Sequence, residues 1–272
     1  MPLIVAAGSA LDADPYGLAE AAAAAGFDGL GLRLSDHHRL SDPADFRRYA
    51  SGLGLTLHDA EVIRVGSAVD PAPLLEQAAA AGAAAVLVVS DTGDRRTTID
   101  GVADIVAIAE PLGLRVGLEY MAWTDPTTPA EAVAVSRATG CVVVVDVLHH
   151  VRVGAGRREL EMVLASGSFG WLQLCDAVRT APPEDGLASE ARHHRLLPGH
   201  GSLPLADLLA AFGPNAGRAA LEHVVSVEVQ SDELTAELAL GDRFRLLHDA
   251  ARSVLAAGAP AVGHDQAPSS TG

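Results

Sequence analysis

The chain has 272 residues, enough for one large domain or two small ones. Hydrophobic residues make up 49% and aromatics only 4%, so the core must be mostly Ala, Val and Leu, as suits a parallel sheet buried on both faces. Nineteen basic against 35 acidic residues give a formal net charge of −16, a surface that repels phosphate backbones and argues against nucleic acid as a partner.

No apolar run reaches the ~18 residues that a membrane span needs. Met1 to Ala7 lacks the basic start and the length of a signal peptide, so a cytoplasmic location is expected, with no membrane partner. Cys141 and Cys175 are too few for a disulfide framework and lie in apolar strand-like runs, where buried thiols are expected.

Eight short apolar runs follow one another along the chain: Leu3–Ala7, Gly29–Leu34, Leu55–Arg64, Ala84–Ser90, Arg115–Met121, Cys141–Val147, Trp171–Ala177 and Val224–Gln230. Segments rich in Ala, Leu and Glu separate them, such as Pro15–Ala25, Pro71–Ala81, Ile99–Pro111 and Pro129–Thr139, and these favour helix. Gly26, Gly82, Gly113 and Gly140 stand as helix stops, and Asp14, Asp70 and Thr128 precede prolines at helix starts. Strand–helix alternation implies parallel strands with right-handed crossovers, and eight repeats predict a single closed (β/α)8 barrel over residues 1–258. An open doubly wound sheet is the alternative, weakened because no GxGxxG follows the first strand. Residues 259–272 turn to Pro, Gly, Ser and Asp without a period and read as a disordered tail.

A barrel of this class carries its chemistry at the C-terminal ends of its strands. The last four predicted strands end in or near Glu119, Asp146, Gln173 and Asp176, and Glu228. Alternation puts Glu228 on one face with Ser226 and Gln230, opposite Val225, Val227 and Val229. It likewise turns Gln173 inward and Leu172 and Leu174 outward. Glu119, Asp146 and Gln173 are equally spaced, and the longer interval to Glu228 holds an insertion, Val178–Ser202. Carboxylates converging in a narrow mouth need compensation. Three carboxylates and an amide oxygen form an all-oxygen set that suits Mg²⁺ or Mn²⁺, so Glu119, Asp146, Gln173 and Glu228 are the expected metal ligands. On the third strand alternation pairs Asp59 with Glu61 and His58 with Ala60.

With these residues the chain resembles the xylose isomerase-like barrel superfamily, also called AP endonuclease family 2, of sugar isomerases, 3-epimerases, inosose dehydratases and endonuclease IV. The likeness is strongest from Gly113 to Glu228, where the four ligands keep the superfamily's order and its Asp-x-x-His pattern stands as Asp146-Val-Leu-His149. Three stretches are locally similar to 3-dehydroshikimate dehydratases: Glu119-Tyr-Met-Ala-Trp123, Leu172-Gln-Leu-Cys-Asp-Ala177, and Arg192-His-His-Arg195 followed by Pro198-Gly-His-Gly201.

The resemblance implies a divalent metal ion (Mn²⁺, Mg²⁺ or Co²⁺) and removal of a proton next to a carbonyl, through a metal-stabilised enediolate. It implies a sugar isomerase or epimerase of carbohydrate metabolism acting on a polyhydroxy ketone or keto acid, with Glu119, Glu228 and His149 catalytic. A dehydratase (lyase) of the 3-dehydroshikimate type is the runner-up, and a non-catalytic small-molecule-binding barrel a third reading. A phosphodiesterase of the endonuclease IV kind is disfavoured by the negative charge and by Gln173. Arg195, and beside it Arg192, would hold an acidic group, Glu61 and Arg64 would touch substrate, and Tyr120 and Trp123 would wall the pocket. For the arginines the alternative is surface pairing with Glu184, Asp185 or Glu190. Arg33, Asp36 and His37 close the second strand as weaker candidates. A homo-oligomer suits the fold class, although no stretch marks an interface.

Overall fold

The computed structural model describes residues 2–34, 40–213 and 223–257. Asp36, His37 and the expected tail lie outside them.

Eight parallel strands close in sequence order: β1 (Leu3–Val5), β2 (Gly29–Arg33), β3 (Thr56–Val65), β4 (Ala85–Ser90), β5 (Arg115–Glu119), β6 (Val142–Asp146), β7 (Phe169–Leu174) and β8 (Val225–Val227). β1 pairs with β8 through Leu3↔Val225, Ile4↔Ser226 and Val5↔Val227, so the sheet is a closed barrel and not an open one. Among the described residues no helix is long and apolar enough to cross a membrane.

The helices start and stop where local chemistry dictates. Asp14 accepts the Tyr16 and Gly17 N–H groups at the start of α1 (Pro15–Ala25), and Gly26 ends it at φ 91°. Asp42 caps α2 (Pro43–Gly52) through Asp45 N. α3 runs over Ala72–Ala81. Asp94 accepts from Thr97 N, so α4 (Arg95–Ala109) begins earlier than its apolar pattern implies. Thr128 and Glu131 form a capping box on α5 (Pro129–Thr139). Asp146 caps α6 (Val147–Arg152), and α7 (Arg157–Ala165) leads into β7. The insertion after β7 is partly helical, with α8 (Leu187–His193), and α9 (Leu205–Leu209) follows it. α10 (Asp232–Glu237) and α11 (Leu240–Ala257) complete the described chain.

Packing separates into two layers. Outward strand residues such as Val143, Val145, Leu172, Leu174, Val225 and Val227 join the helices in one large core. Inside the barrel a smaller cluster of Ala85, Leu87, Val89, Met121, Val144 and Trp171 fills the lumen. A Cβ on Gly117 of β5 would lie 2.2 Å from the Trp171 ring, so the glycine makes room for the indole. Both cysteines are free and buried.

β3 departs from simple alternation. Its register shifts against β2 between Leu30 and Leu32, and against β4 between Ala60 and Ile63. Each bulge adds a residue to one face. His58 therefore stacks edge-on against Trp171 in the lumen, at 5.1 Å between centroids, while Ala60 joins the outer core. The expected pairing of His58 with Ala60 on one face is thus corrected.

Candidate active site

Glu119 ends β5, Asp146 ends β6, Gln173 lies on β7, and Glu228 follows β8, where its N–H still donates to Leu174 O at 3.1 Å. All four are buried, at 6%, 1%, 0% and 5% exposure. Glu119 and Glu228 line a cavity of about 220 Å³, together with Glu61, Trp123, His149 and Arg195. Arg33, Arg64 and Arg192 also reach it, and Leu87, Val89 and Met121 give it an apolar part. Asp146 and Gln173 lie outside that lining but touch residues that form it. A Cβ on Gly8 would come within 2.6 Å of Glu228 Oε1, so this glycine leaves space for the carboxylate.

Asp146 is engaged on both oxygens. Oδ1 accepts from the N–H groups of Leu148 (2.8 Å) and His149 (3.0 Å), and Oδ2 accepts from Arg195 Nη1 at 2.5 Å. Gln173 Nε2 donates to Glu228 Oε2 at 2.6 Å, and Gln230 Nε2 donates to Glu228 Oε1 at 2.9 Å. Gln173 Oε1 is buried without a hydrogen-bond partner. His149 Nε2 lies 3.8 Å from Glu119 Oε1, and its ring stands edge-on to Trp123 at 5.2 Å. Behind it a buried Tyr120 hydroxyl meets His150 Nδ1 at 2.6 Å, and His150 Nε2 reaches Gly156 O at 2.9 Å. This ties the end of β5 to α6 and hence Glu119 to His149.

Burial pushes the Glu119 carboxyl well above the usual range, and the negative charges of Asp146 and Glu228 add to it. Burial also pushes Asp146 up, but Arg195 and His149 outweigh it and hold the group below its ordinary value. Burial lowers His149 to about 4, with Asp146 opposing. Glu61 is raised to about 7 by burial and by Glu228, with Arg33 opposing. Asp59 is raised by burial, then by Glu61 and Glu228, and neither of its buried oxygens has a partner.

Glu119, Asp146 and His149 each offer a ligand atom within 4.8 Å of the others, a set that could hold a metal ion. This grouping brings in His149, which the sequence reading kept as a proton carrier. Gln173 sits instead against Glu228. Two observations fit a hard divalent cation: a buried amide oxygen with no partner, and a carboxylate cluster with too few positive charges.

The remaining expected residues fall into three groups. Glu61 and Trp123 line the cavity, Arg192 stands exposed on its rim, and Arg64 pairs with Asp91 at 2.8 Å. Arg195 lies deeper than its place in the insertion implies, 2% exposed and bound to Asp146. Glu190, a candidate partner for the arginines, is taken by Arg152 at 2.6 Å. Asp176 turns away from the site and gathers the insertion, accepting from Gly199, Gly201 and Leu203 N–H groups at 3.0 Å each. Tyr120, expected to wall the pocket, is instead fully buried and bound to His150 at 2.6 Å, outside the cavity lining; the roles of Gln230 and His150 were not foreseen. Gln230 was detectable as the residue sharing the Glu228 face, but nothing local signals the Tyr120–His150 bond.

A closed parallel barrel with an acidic cluster at the C-terminal mouth defines a TIM barrel of enzyme-like architecture. The chain belongs to the xylose isomerase-like TIM barrel family, whose profile matches residues 19–249. No curated protein sequence matches it. Among solved structures, a xylose isomerase-like TIM barrel/4-hydroxyphenylpyruvate dioxygenase fusion protein superposes with a TM-score of 0.75 at 22% identity, over 93% of this chain and 42% of that one. The chain thus spans less than half of the fusion protein. An L-ribulose 3-epimerase superposes with a TM-score of 0.69 at 16% identity, over 94% of each chain. A probable 3-DHS dehydratase of petrobactin synthesis from Bacillus anthracis gives 0.71 at 12% identity, over 92% of this chain and 98% of that one. At these identities the likeness carries the fold alone.

Proposed function

We propose that this barrel is a divalent-metal-dependent enzyme of the isomerase or epimerase kind, removing a proton next to the carbonyl of a polyhydroxy ketone or keto acid. The observation that carries the reading is the meeting of Glu119, Glu228 and His149 in one cavity. Glu119, Asp146, Gln173 and Glu228 would hold the ion, as Mn²⁺, Mg²⁺ or Co²⁺, with His149 beside them. The ion supplies Lewis-acid polarisation of a carbonyl oxygen.

The protein's own groups do the rest. A Glu119 or Glu228 carboxylate oxygen takes the proton from the carbon acid, and a carboxyl whose neutral form is favoured by burial is suited to receive it. His149, lowered to about 4, is neutral near pH 7 and lines the cavity within reach of a substrate hydroxyl, its Nε2 shared with Arg195 Nη2 at 3.4 Å. Trp123 offers a flat apolar wall.

A second reading, dehydration of a keto acid, is favoured by the arginines around the cavity. Arg33 and Arg192 open onto it, and a guanidinium suits a carboxylate. The same cluster serves both outcomes: the carbanion is reprotonated, or a β-hydroxyl leaves.

Incubation with ketoses and with 3-dehydroshikimate in D₂O and Mn²⁺ tests the reading. We expect metal-dependent deuterium incorporation at the carbon next to the carbonyl, seen by NMR, and new ultraviolet absorbance only if dehydration follows. Absence of exchange across neutral and acidic substrates, despite bound metal, would leave a ligand-binding barrel.

A further inference from the structure

Arg195 is placed unusually for a residue near a cation site. Its guanidinium is buried and fixed on several sides. Nε donates to Ala191 O at 2.7 Å, Nη1 to Glu228 O at 3.3 Å, and Nη2 lies 3.4 Å from His149 Nε2. Nη1 also stands 3.9 Å from Glu228 Oε2, besides its short bond to Asp146 Oδ2. The backbone is pinned as well, since Arg195 N donates to Gln230 O at 3.0 Å and bridges flank it at His194↔Ser231 and Asp176↔Leu196.

One positive charge therefore touches two of the four residues assigned to the metal. Asp146 has no oxygen to spare, because Oδ1 is committed to the start of α6. Like charges a few ångströms apart in a buried site repel strongly. Breaking a buried ion pair by removing the arginine leaves an uncompensated carboxylate, unless another cation replaces it.

We infer that Arg195 is the resident counter-cation of this pocket: it neutralises Asp146 in the metal-free protein, and a divalent ion gains Asp146 Oδ2 only in competition with Nη1. The inference rests on the metal-binding reading above. It gives Arg195 a role distinct from the substrate contact expected from sequence. It also explains how a cluster of buried carboxylates folds before any ion arrives.

The test is Mn²⁺ titration and thermal unfolding of metal-free wild type, Arg195→Met and Arg195→Lys. Arg195→Gln, which keeps a donor for Asp146 but loses the charge, covers the case in which the Met variant does not fold. We expect the neutral variants to unfold at lower temperature without metal, yet to bind Mn²⁺ about tenfold or more tightly than wild type. Added Mn²⁺ should raise their Tm more than that of wild type. Arg195→Lys, still charged, should bind Mn²⁺ within about threefold of wild type. A merely structural arginine predicts the opposite, weaker Mn²⁺ binding once Asp146 loses its support. Equal or weaker binding in both neutral variants, with binding still abolished by Glu119→Gln, overturns the counter-cation and leaves the metal site. No Mn²⁺ binding in any of these proteins overturns the metal reading, and the counter-cation with it.

Discussion

The two halves of the barrel mouth are both acidic, but they treat their carboxylates differently. On the β5–β8 side Asp146 has partners on both oxygens, and Glu228 accepts from Gln173 and Gln230. On the β3 side neither oxygen of Asp59 has a partner, and Glu61 Oε1 has none. Its nearest cation is Arg33, at 3.7 Å. An ionised carboxylate buried without partners is costly, so this side favours the protonated form. One half ties Asp146 and Glu228 into hydrogen bonds and an ion pair, and the other leaves Asp59 and one oxygen of Glu61 without partners beside the same cavity.

The sharpest way to break that comparison is to neutralise one glutamate in each half. Glu228→Gln is expected to weaken Mn²⁺ binding by about a hundredfold or more, beyond what loss of a supporting hydrogen bond does. Glu61→Gln should leave it within about threefold, because Glu61 belongs to the other side. Calorimetric titration of both variants checks this. Equal losses would make the mouth one continuous ligand set.

A second prediction concerns what holds the insertion over the β5–β8 side. Arg152 Nη2 and Nε meet the two oxygens of Glu190 at 2.6 and 2.7 Å, with both side chains buried. Glu190→Ala leaves a buried guanidinium still bound to Val178 O but without its counter-charge. A loss of about 3–5 kcal/mol in urea unfolding is expected. A loss of less than about 1 kcal/mol, the value of a surface pair, would mean that water reaches this contact freely.

The same contrast explains what could be read from the sequence. In β5 to β8 the alternation is regular near the mouth, so inward Glu119, Asp146 and Gln173 followed from counting, and Glu228 followed although it lies just beyond β8. Caps at Asp14 and Thr128 were legible because each acts within three residues. β3 was not, since two register shifts set His58 against Trp171 and away from Ala60. Arg195 was legible as a site residue but not as the partner of Asp146, because that bond joins residues far apart in the chain. The strand ends also ran short of the apolar pattern, as at Asp176, whose carboxylate serves the insertion instead.

The remaining expected effect is on stability and pH, and it isolates the β3 side. Glu61 is raised from the ordinary 4.5 to about 7 in the folded protein. The folded state therefore binds a proton that the unfolded chain releases between those values. Its contribution to stability is full below about pH 4.5 and is lost as pH rises through about 7, a change of about 3 kcal/mol. His58 and His149, both lowered to about 4, work in the other direction, adding stability as pH rises from about 4 to 6.5. Those histidines are present in wild type and in Glu61→Gln alike, so the difference between the two proteins removes them. Urea unfolding of both metal-free proteins from pH 5 to pH 8 should show wild type losing stability relative to Glu61→Gln across that range. A constant difference would mean that Glu61 is already ionised against Arg33, and that the β3 side does not hold a proton there.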